Sequence, residues 1–284
     1  MPNNQSPALL RVNALRKVYG TGDTAVEAIG RLDFEIADNE LVCIVGPSGA
    51  GKTTFLRCVS GLLAPTEGEV SLAGERVVEP PEGMAVVLQD YSRSLYPWMT
   101  VADNIALPLK AKGVNRARQT ELIANALEAV GLAHAGKKYP WQLSGGMQQR
   151  VAIARAIAYE PRVLVMDEPF AAVDAQTRAE LEDLVRSLWR TLGVTVLFVT
   201  HDIDEAVYLG QRVLVLSHAP TFVLKEVMVD LPDERDQLTT RGLQRFGELR
   251  GEVYELIQLA KKTTYRTREL AGAVPGTNSA TKSA

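Results

Sequence analysis

Hydrophobic and polar residues alternate along this chain with two different periods. Leu32, Phe34 and Ile36 are separated by single charged residues, which is the period-two pattern of a half-buried strand. Asp38-Asn39 predicts a turn, and the apolar run Leu41–Val45 predicts a continuous buried strand. Further apolar runs predict strands at residues 69–72, 85–88, 163–166, 194–200 and 213–216. Helical stretches lie between most of these runs, so the predicted fold class is α/β.

The strand signals stop between residues 100 and 130, where the apolar positions take helical spacing. That spacing is set by Leu122, Ile123, Ala126, Leu127 and Val130, and Gly131 follows as a predicted C-cap. Helices are also predicted from Ser144, as N-cap, to Tyr159 and from Asp174 to Leu192, and a last amphipathic helix over residues 246–257. The predicted organisation is a disordered tail (1–8), a main domain (9–230) with a helical sub-domain at about 95–160, a helical extension (231–268) and a disordered tail (269–284).

Composition and charge exclude several classes of protein. The 284 residues carry 31 basic and 34 acidic side chains, so nothing in the net charge of −3 attracts nucleic acid. The longest apolar runs have the length of strands and cannot span a bilayer. The first residues lack a basic start and an apolar stretch, so no secretory signal is predicted and the chain is placed in the cytoplasm. Cys43 and Cys58 lie among aliphatic residues and are predicted to be small buried side chains.

A glycine-rich loop follows the predicted strand Leu41–Val45. Its sequence, Gly46-Pro47-Ser48-Gly49-Ala50-Gly51-Lys52-Thr53, fits G-x-x-x-x-G-K-[ST] between a strand and a helix. In such a loop the backbone N–H groups surround a phosphate, the lysine reaches the β and γ oxygens, and the threonine hydroxyl binds Mg²⁺. The strand and helix on either side disfavour an incidental turn. The predicted nucleotide-binding residues are Gly46, Pro47, Ser48, Gly49, Ala50, Gly51, Lys52, Thr53 and Thr54.

Two carboxylates, Asp167 and Glu168, end the apolar run that begins at Val163. Carboxylates at the end of a buried strand are costly unless cations or hydrogen bonds compensate them. We predict that Asp167 holds Mg²⁺, directly or through water, and that Glu168 takes the proton of the water that attacks the γ-phosphate. The alternative, two surface residues past a strand end, is weakened by the phosphate loop upstream.

A second element, Leu143-Ser144-Gly145-Gly146-Met147-Gln148-Gln149-Arg150, opens a helix with a hydroxyl and two glycines. By itself it is either an anion site or only a helix cap. Between the phosphate loop and the carboxylates, however, it resembles the signature of ATP-binding cassette (ABC) ATPases. The resemblance extends from about Leu10 to Leu216. It implies a P-loop NTPase cassette with a RecA-like core, an antiparallel β part and an inserted helical sub-domain.

The resemblance also implies roles for single residues, each of which has an ordinary alternative. Tyr19 would stack on adenine, or it is a strand-end aromatic residue. Gln89 would sense Mg²⁺ and the attacking water, or it is merely solvated. His201 would touch the γ-phosphate, or it is a satisfied polar residue at a strand end, although the order of the elements favours the functional role. Asp174 would join Ser144, Gly145 and Gly146 in nucleotide binding. Two departures from the commonest family pattern are Met147 and Ala171-Ala172-Val173. Both changes are mild, and they bear on differences between subfamilies more than on ATP hydrolysis.

Two aromatic segments resemble importers rather than exporters. One is Tyr139-Pro140-Trp141-Gln142, and the other is residues 90–100, which resemble nitrate, sulfonate and taurine importer ATPases. In that family the second segment faces the permease, so Trp98 either packs against the permease or is a core aromatic residue.

The resemblance therefore implies the ATPase subunit of an importer for a small solute such as nitrate, a sulfonate or taurine. Two copies, most simply identical, would enclose ATP and Mg²⁺ between each phosphate loop and the opposite Ser144 helix. Closure of the pair would drive integral membrane permease subunits, with a solute-binding protein in the assembled complex, at the cytoplasmic face of the membrane. The alternatives are a soluble ABC ATPase with a nucleic-acid or ribosomal partner, disfavoured by the charge balance, and a P-loop kinase, which leaves Ser144 and His201 unexplained.

Overall fold

The computed structural model describes residues 8–90 and 94–262. The strands are β1 (Ala8–Tyr19), β2 (Val26–Ala37), β3 (Leu41–Val45), β4 (Glu67–Leu72), β5 (Glu75–Arg76), β6 (Met84–Val87), β7 (Val163–Asp167), β8 (Thr195–Val199), β9 (Arg212–Leu216) and β10 (Thr221–Met228). The helices are α1 (Lys52–Val59), α2 (Val101–Ala111), α3 (Arg116–Ala129), α4 (Gly145–Ala158), α5 (Ala175–Leu192), α6 (Ile203–Leu209) and α7 (Gln244–Ala260). Short 3-10 helices occupy Gly22–Thr24, Ala133–Ala135 and Pro140–Gln142.

The strands form one sheet in the order β5-β4-β1-β2-β10-β9-β3-β8-β7-β6. Strands β9, β3, β8, β7 and β6 run parallel to one another. The other end of the sheet is antiparallel, since β1 pairs antiparallel with both β2 and β4. Strand β10 joins the two parts because it pairs antiparallel with β9 and parallel with β2.

The central strands are buried on both faces, which explains their uninterrupted apolar sequences. In β3, Leu41, Cys43 and Val45 face one hydrophobic cluster, whose helical members come from α2 to α7. Val42 and Ile44 face the other, which contains Phe55 and Val59 of α1. The alternation follows from the period of two along a strand. It places α1 on one side of the sheet and the remaining helices on the other.

Most predicted elements are present, and the N-caps predicted at Ser144 and Asp174 are confirmed. The C-cap of α3 is Val130 rather than the predicted Gly131, which follows it with a φ of 72°. The side chain of Asp174 caps α5 and Gly193 ends it in the left-handed conformation, with φ 61°. The side chain of Ser144 caps α4, whose C-cap is Tyr159. Cys43 and Cys58 are buried as predicted.

The pattern of apolar and polar residues did not predict β5 and β10, and it did not give the bounds of β1. In β1 the left-handed Ala14 (φ 47°) and several register shifts against β2 break the alternation of apolar and polar residues. The predicted tails lie outside the described residues, except that Ala8 already belongs to β1. None of the described helices is both long and apolar enough to cross a membrane.

Candidate active site

The candidate site forms where four neighbouring parallel strands end. Strand β3 leads into the loop at Gly46, β7 ends in Asp167, β8 leads to His201, and β6 leads to Gln89. Because parallel strands present their carboxyl ends at one edge of the sheet, these residues meet there although they are far apart in sequence. This edge is where open α/β sheets bind ligands.

The loop of residues 46–53 has the backbone conformation that a phosphate cradle needs. Gly49 and Gly51 adopt φ values of 78° and 69°, which side chains disfavour. Gly51 also has no room for a Cβ atom, which would lie 3.0 Å from the Ala28 carbonyl oxygen and 3.1 Å from Thr221 Oγ1. Helix α1 starts directly after it, so its N-terminal N–H groups point toward the loop.

Lys52 is the first residue of α1 and is nearly buried, with its side chain turned back to the loop. Its ammonium donates to the carbonyl oxygens of Gly46 (3.1 Å) and Pro47 (3.4 Å). It also lies 3.7 Å from Glu168 Oε1. The ammonium is thus held between the loop and the carboxylate, where the terminal phosphates of a nucleotide would bind.

Glu168 is the point on which the predicted catalytic residues converge. The amide of Gln89 donates to its Oε2 atom (3.3 Å), and Nδ1 of His201 lies 3.0 Å from the same oxygen. With Lys52, three side chains from three strand ends therefore surround one carboxylate. Glu168 itself has a φ of 42°, an uncommon value for a residue with a side chain. Such strained backbone conformations cluster at functional sites.

Asp167 is the last residue of β7 and is only partly open to solvent. Burial, and next the charge of Glu168, raise the pKa of the Asp167 carboxyl to about 6. Lys52 and Arg57 act in the opposite direction. A carboxylate that is hard to ionise by itself is suited to a cation that would stabilise its charged form.

The oxygen donors at this edge fit Mg²⁺. Asp167, the hydroxyl of Thr53 and the amide of Gln89 are hard ligands, and Mg²⁺ prefers one or two such protein ligands together with phosphate oxygens. Within residues 8–90 and 94–262 no cluster of three or more His, Cys, Asp or Glu side chains could hold a metal ion.

The raised pKa of Asp167 gives a testable pH dependence. The Asp167 carboxyl binds a proton more tightly in the folded state, with a pKa of about 6, than in the unfolded chain, where the usual pKa is 3.8. The protonated carboxyl therefore favours the folded state at low pH, and this stabilisation is lost as the pH rises through about 6. Because solvent partly screens the carboxyl, Asp167→Asn should raise the melting temperature at pH 7.5 by only roughly 2–4 °C, with hydrolysis lost. Calorimetry without nucleotide tests this expectation, and an unchanged or lower melting temperature at pH 7.5 would contradict it.

Tyr19 ends β1 beside the phosphate loop. The residue is 40% exposed, and its hydroxyl lies 3.2 Å from Thr54 Oγ1. The ammonium of Lys17 lies 5.4 Å from the ring centroid. An exposed ring held next to the loop can stack on a base, so the geometry is compatible with the adenine-binding role and with the strand-end alternative alike.

The second sequence element, residues 144–146, begins α4. Ser144 and Gly145 are exposed, and Ser144 Oγ accepts from the N–H of Met147 (3.3 Å). A Cβ atom at Gly146 would lie 2.4 Å from the Thr177 methyl. Thr177 is held in place because its N–H and its hydroxyl both donate to the Asp174 carboxylate. Gly146 is therefore required for packing on α5. Within the described residues no hydrogen bond or ion pair joins residues 144–146 or Asp174 to the phosphate loop.

The segment before α2 displays its aromatic side chains to solvent. Trp98 is 70% exposed, so the core-aromatic interpretation is wrong, and its ring lies 5.3 Å from that of Tyr96. Buried Asn104 holds this loop by accepting from the N–H of Tyr96 (2.7 Å) and donating to the carbonyl of Met99 (3.2 Å). Residues 91–93 lie outside the described residues.

Two contributors to the site were not found from the sequence. The hydroxyl of buried Thr221 of β10 donates to the carbonyl oxygen of Ala50 (2.6 Å), lies 3.0 Å from that of Ala28, and so supports the phosphate loop. Arg178 of α5 pairs with Asp202 at 3.1 Å, and Asp202 directly follows His201 in the chain. Neither residue belongs to a local motif, and each acts across more than twenty residues of sequence. Only the tertiary structure could reveal them.

Comparisons with known proteins identify a family for this chain. The family model described as ABC transporter matches residues 29–171. The nitrate import ATP-binding protein NrtD of Synechocystis sp. is 40% identical over 227 residues, which are 80% of this chain and 85% of that protein. The aliphatic sulfonates import ATP-binding protein SsuB of Bacillus cereus is 37% identical over 246 residues, 86% and 94% of the two chains.

Solved structures confirm the predicted fold class. An ATP-binding cassette captured as a dimer in a post-hydrolysis state with ADP and Pi is 31% identical, has a TM-score of 0.68, and matches over 78% of this chain and 98% of that one. A component of the ABC transporter complex cbiONQ from Clostridium perfringens is 26% identical, with a TM-score of 0.71 and coverage of 78% and 89%.

Proposed function

This chain belongs to the ABC transporter family of ATP-binding proteins, and on that premise we propose that it couples ATP hydrolysis to the uptake of a small solute. The family's members are ATPases, and the relatives named as nitrate and sulfonate import proteins support an importer role. The observation that carries the hydrolysis part of the proposal is the convergence of Lys52, Gln89 and His201 on the Glu168 carboxylate. The uptake part is supported by the names of the relatives. An alternative nucleic-acid or ribosomal partner is not favoured.

Each residue around Glu168 has a proposed part in hydrolysis. Glu168 accepts the proton of the attacking water, because its carboxylate lies beside the ammonium that would hold the terminal phosphates. Gln89 and His201, both within 3.3 Å of Glu168 Oε2, orient that carboxylate and are placed to contact the water and the γ-phosphate. Lys52 balances the negative charge that develops during phosphoryl transfer. Tyr19 stacks on the adenine ring.

Residues Thr53, Asp167 and Gln89 would hold Mg²⁺. When bound with the nucleotide, the ion neutralises phosphate charge. Gly46, Pro47, Ser48, Gly49, Ala50, Gly51 and Thr54 complete the nucleotide-binding loop together with Lys52 and Thr53.

We propose that two copies of the chain form the complete site. Ser144 and Gly145 are exposed at the start of α4 and make no hydrogen bond to the phosphate loop within the described part of one chain. The helix N-terminus is suited to an anion, so its partner would be the γ-phosphate bound by a second copy. Asp174 would lie at the same boundary. Closure of the two copies around ATP would then drive the permease. After hydrolysis the γ-phosphate no longer links the two copies, and the pair would reopen.

The permease would bind next to Trp98. A groove of about 600 Å³ lies there, beside the edge strand β6, and its lining includes Tyr96, Leu107 and Tyr159. Charged residues line it as well, among them Glu82, Lys112 and Arg155. Together with exposed Trp98 this makes a mixed aromatic and charged face that a protein partner would cover. We propose that integral membrane permease subunits bind there and hold the chain at the cytoplasmic face of the membrane. A solute-binding protein would join through the assembled complex, and the solute would be nitrate, a sulfonate, taurine or a related compound.

Removal of the Trp98 side chain should separate transport from hydrolysis. Because the ring is 70% exposed, Trp98→Ala should leave the melting temperature and the ATPase activity of the isolated subunit near wild type. Copurification of integral membrane partners, identified by mass spectrometry, and solute uptake should fall sharply. Tyr254→Ala, which removes an aromatic ring that is 55% exposed on α7, is the matched control. If Trp98→Ala retains its membrane partners and full uptake, the assigned permease face is wrong.

A further inference from the structure

Helix α5 is linked to the segment that carries His201 by one arginine. Arg178 lies in the first turns of α5, and its Nη1 atom is 3.1 Å from Asp202 Oδ2. Its Nε atom is 3.5 Å from Oε1 of Glu205, on α6. The guanidinium therefore bridges two carboxylates that follow His201 in the chain.

These two carboxylates hold the residues on both sides of His201. Glu205 Oε2 accepts from the hydroxyl of Thr200 (2.6 Å), and the same hydroxyl accepts from the N–H of Asp202 (3.0 Å). The other oxygen of Asp202 caps α6 by accepting from the N–H groups of residues 204 and 205. The backbone before and after His201 is thus fixed through the groups that Arg178 contacts.

His201 itself has few means of holding its position. Its side chain is 62% exposed, and its ring is anchored by the contact of Nδ1 with Glu168. Burial therefore does not fix the imidazole. The orientation of this ring depends on the backbone between Thr200 and Asp202.

Charge makes Arg178 difficult to replace. The side chain of Glu205 is only 5% exposed, and its burial raises the pKa of the carboxyl to about 7. Asp202 and Glu182 raise this pKa further, and Arg178 lowers it. Without the guanidinium, two carboxylates would face each other with no shared cation. Glu205 would then take up a proton or move toward water.

We propose that Arg178 is a positioning residue for His201, acting through Asp202 and Glu205. This inference rests on the proposed function because it assumes that His201 contributes to hydrolysis. The residue touches neither the phosphate loop nor Glu168 within the described structure, so its effect on the reaction is indirect.

Kinetics of the full chain give the first test. Arg178→Met should lower kcat by roughly ten- to a hundredfold, the scale of a misplaced catalytic group. The KM for ATP should remain within about twofold, since the nucleotide-binding loop is intact. Arg178→Lys, which keeps a cation but loses the planar fork, should recover part of kcat. Arg245→Met is the matched control, because Arg245 also pairs with two carboxylates, Asp230 and Glu248, and should keep kcat near wild type.

Proton–carbon NMR of the imidazole rings gives a second readout that does not depend on activity. The chain has only three histidines, so His201→Gln assigns the His201 signal by its disappearance. Arg178→Met should shift or broaden that signal and leave those of His134 and His218 unchanged. Should the methionine variant fail to fold, Glu205→Gln, which matches the native side chain in size, should produce the same selective change.

Two results would overturn the inference in different ways. If His201→Gln lowers kcat while Arg178→Met and Glu205→Gln leave both kcat and the His201 signal as in wild type, the positioning role is wrong and the proposed function stands. If His201→Gln itself retains full turnover, the proposed role of His201 fails, and the positioning role fails with it.

Discussion

Glu168→Gln is expected to lower ATP turnover by ~10²–10⁴-fold, the usual loss when a general base is removed. The amide has nearly the same shape as the carboxylate but cannot take the proton of the attacking water. The amide can still contact Lys52, Gln89 and His201, so the nucleotide should bind as it does to wild type. Because bound ATP is no longer consumed, the variant should form an ATP-stabilised dimer on a sizing column.

The matched control for this variant is Glu252→Gln on α7. Glu252 pairs with Lys225 (2.7 Å) and has no contact with the candidate site. It should hydrolyse ATP at the wild-type rate and should not accumulate as a dimer. Near-normal hydrolysis by Glu168→Gln would show that another group accepts the proton.

Lys52→Ala and Ser144→Arg should each abolish hydrolysis, but for different reasons. Lys52 makes charge-assisted contacts, and the loss of one costs about 1.5–3 kcal/mol, so ATP affinity should fall roughly tenfold or more. Ser144→Arg leaves the phosphate loop of its own chain intact and obstructs the surface that a second copy would meet. It should therefore bind ATP normally and fail to dimerise. Fluorescent-nucleotide binding and sizing chromatography separate the two effects.

If Ser144→Arg instead weakens ATP binding as much as Lys52→Ala does, the Ser144 helix contributes to the site of its own chain. If it hydrolyses ATP normally, the helix is only a capped helix start. Both outcomes would remove the basis for the proposed arrangement of two copies.

The parts of the site that follow from the sequence are those encoded in short, continuous segments. The loop Gly46–Thr53 and the pair Asp167–Glu168 carry their chemistry in adjacent residues, and a strand before each sets its place in the fold. The caps at Ser144 and Asp174 are local for the same reason, since each involves an N–H group three residues later.

The remaining parts depend on contacts between distant segments. Thr221 reaches the phosphate loop from β10, which the sequence pattern did not predict because a register shift between Val223 and Lys225 interrupts its alternation. The loop that carries Trp98 is held by the buried side chain of Asn104, whose sequence neighbours give no sign of that role. A glycine at position 146 is expected of an anion site, yet it is also needed because Thr177 of α5 packs closely against it. That contact depends on how α4 and α5 pack, which the sequence does not specify locally.

The central claim is that each complete site joins the phosphate loop of one copy to the Ser144 helix of another, and mixing the two inactive variants tests it most directly. A mixed dimer of Lys52→Ala and Ser144→Arg has one site with both changes and one site with neither. We expect mixing to restore part of the hydrolysis, or at least ATP-dependent pairing of differently tagged variants if turnover needs both sites. Mixtures that show neither activity nor ATP-dependent pairing, while wild type shows both, would contradict the claim.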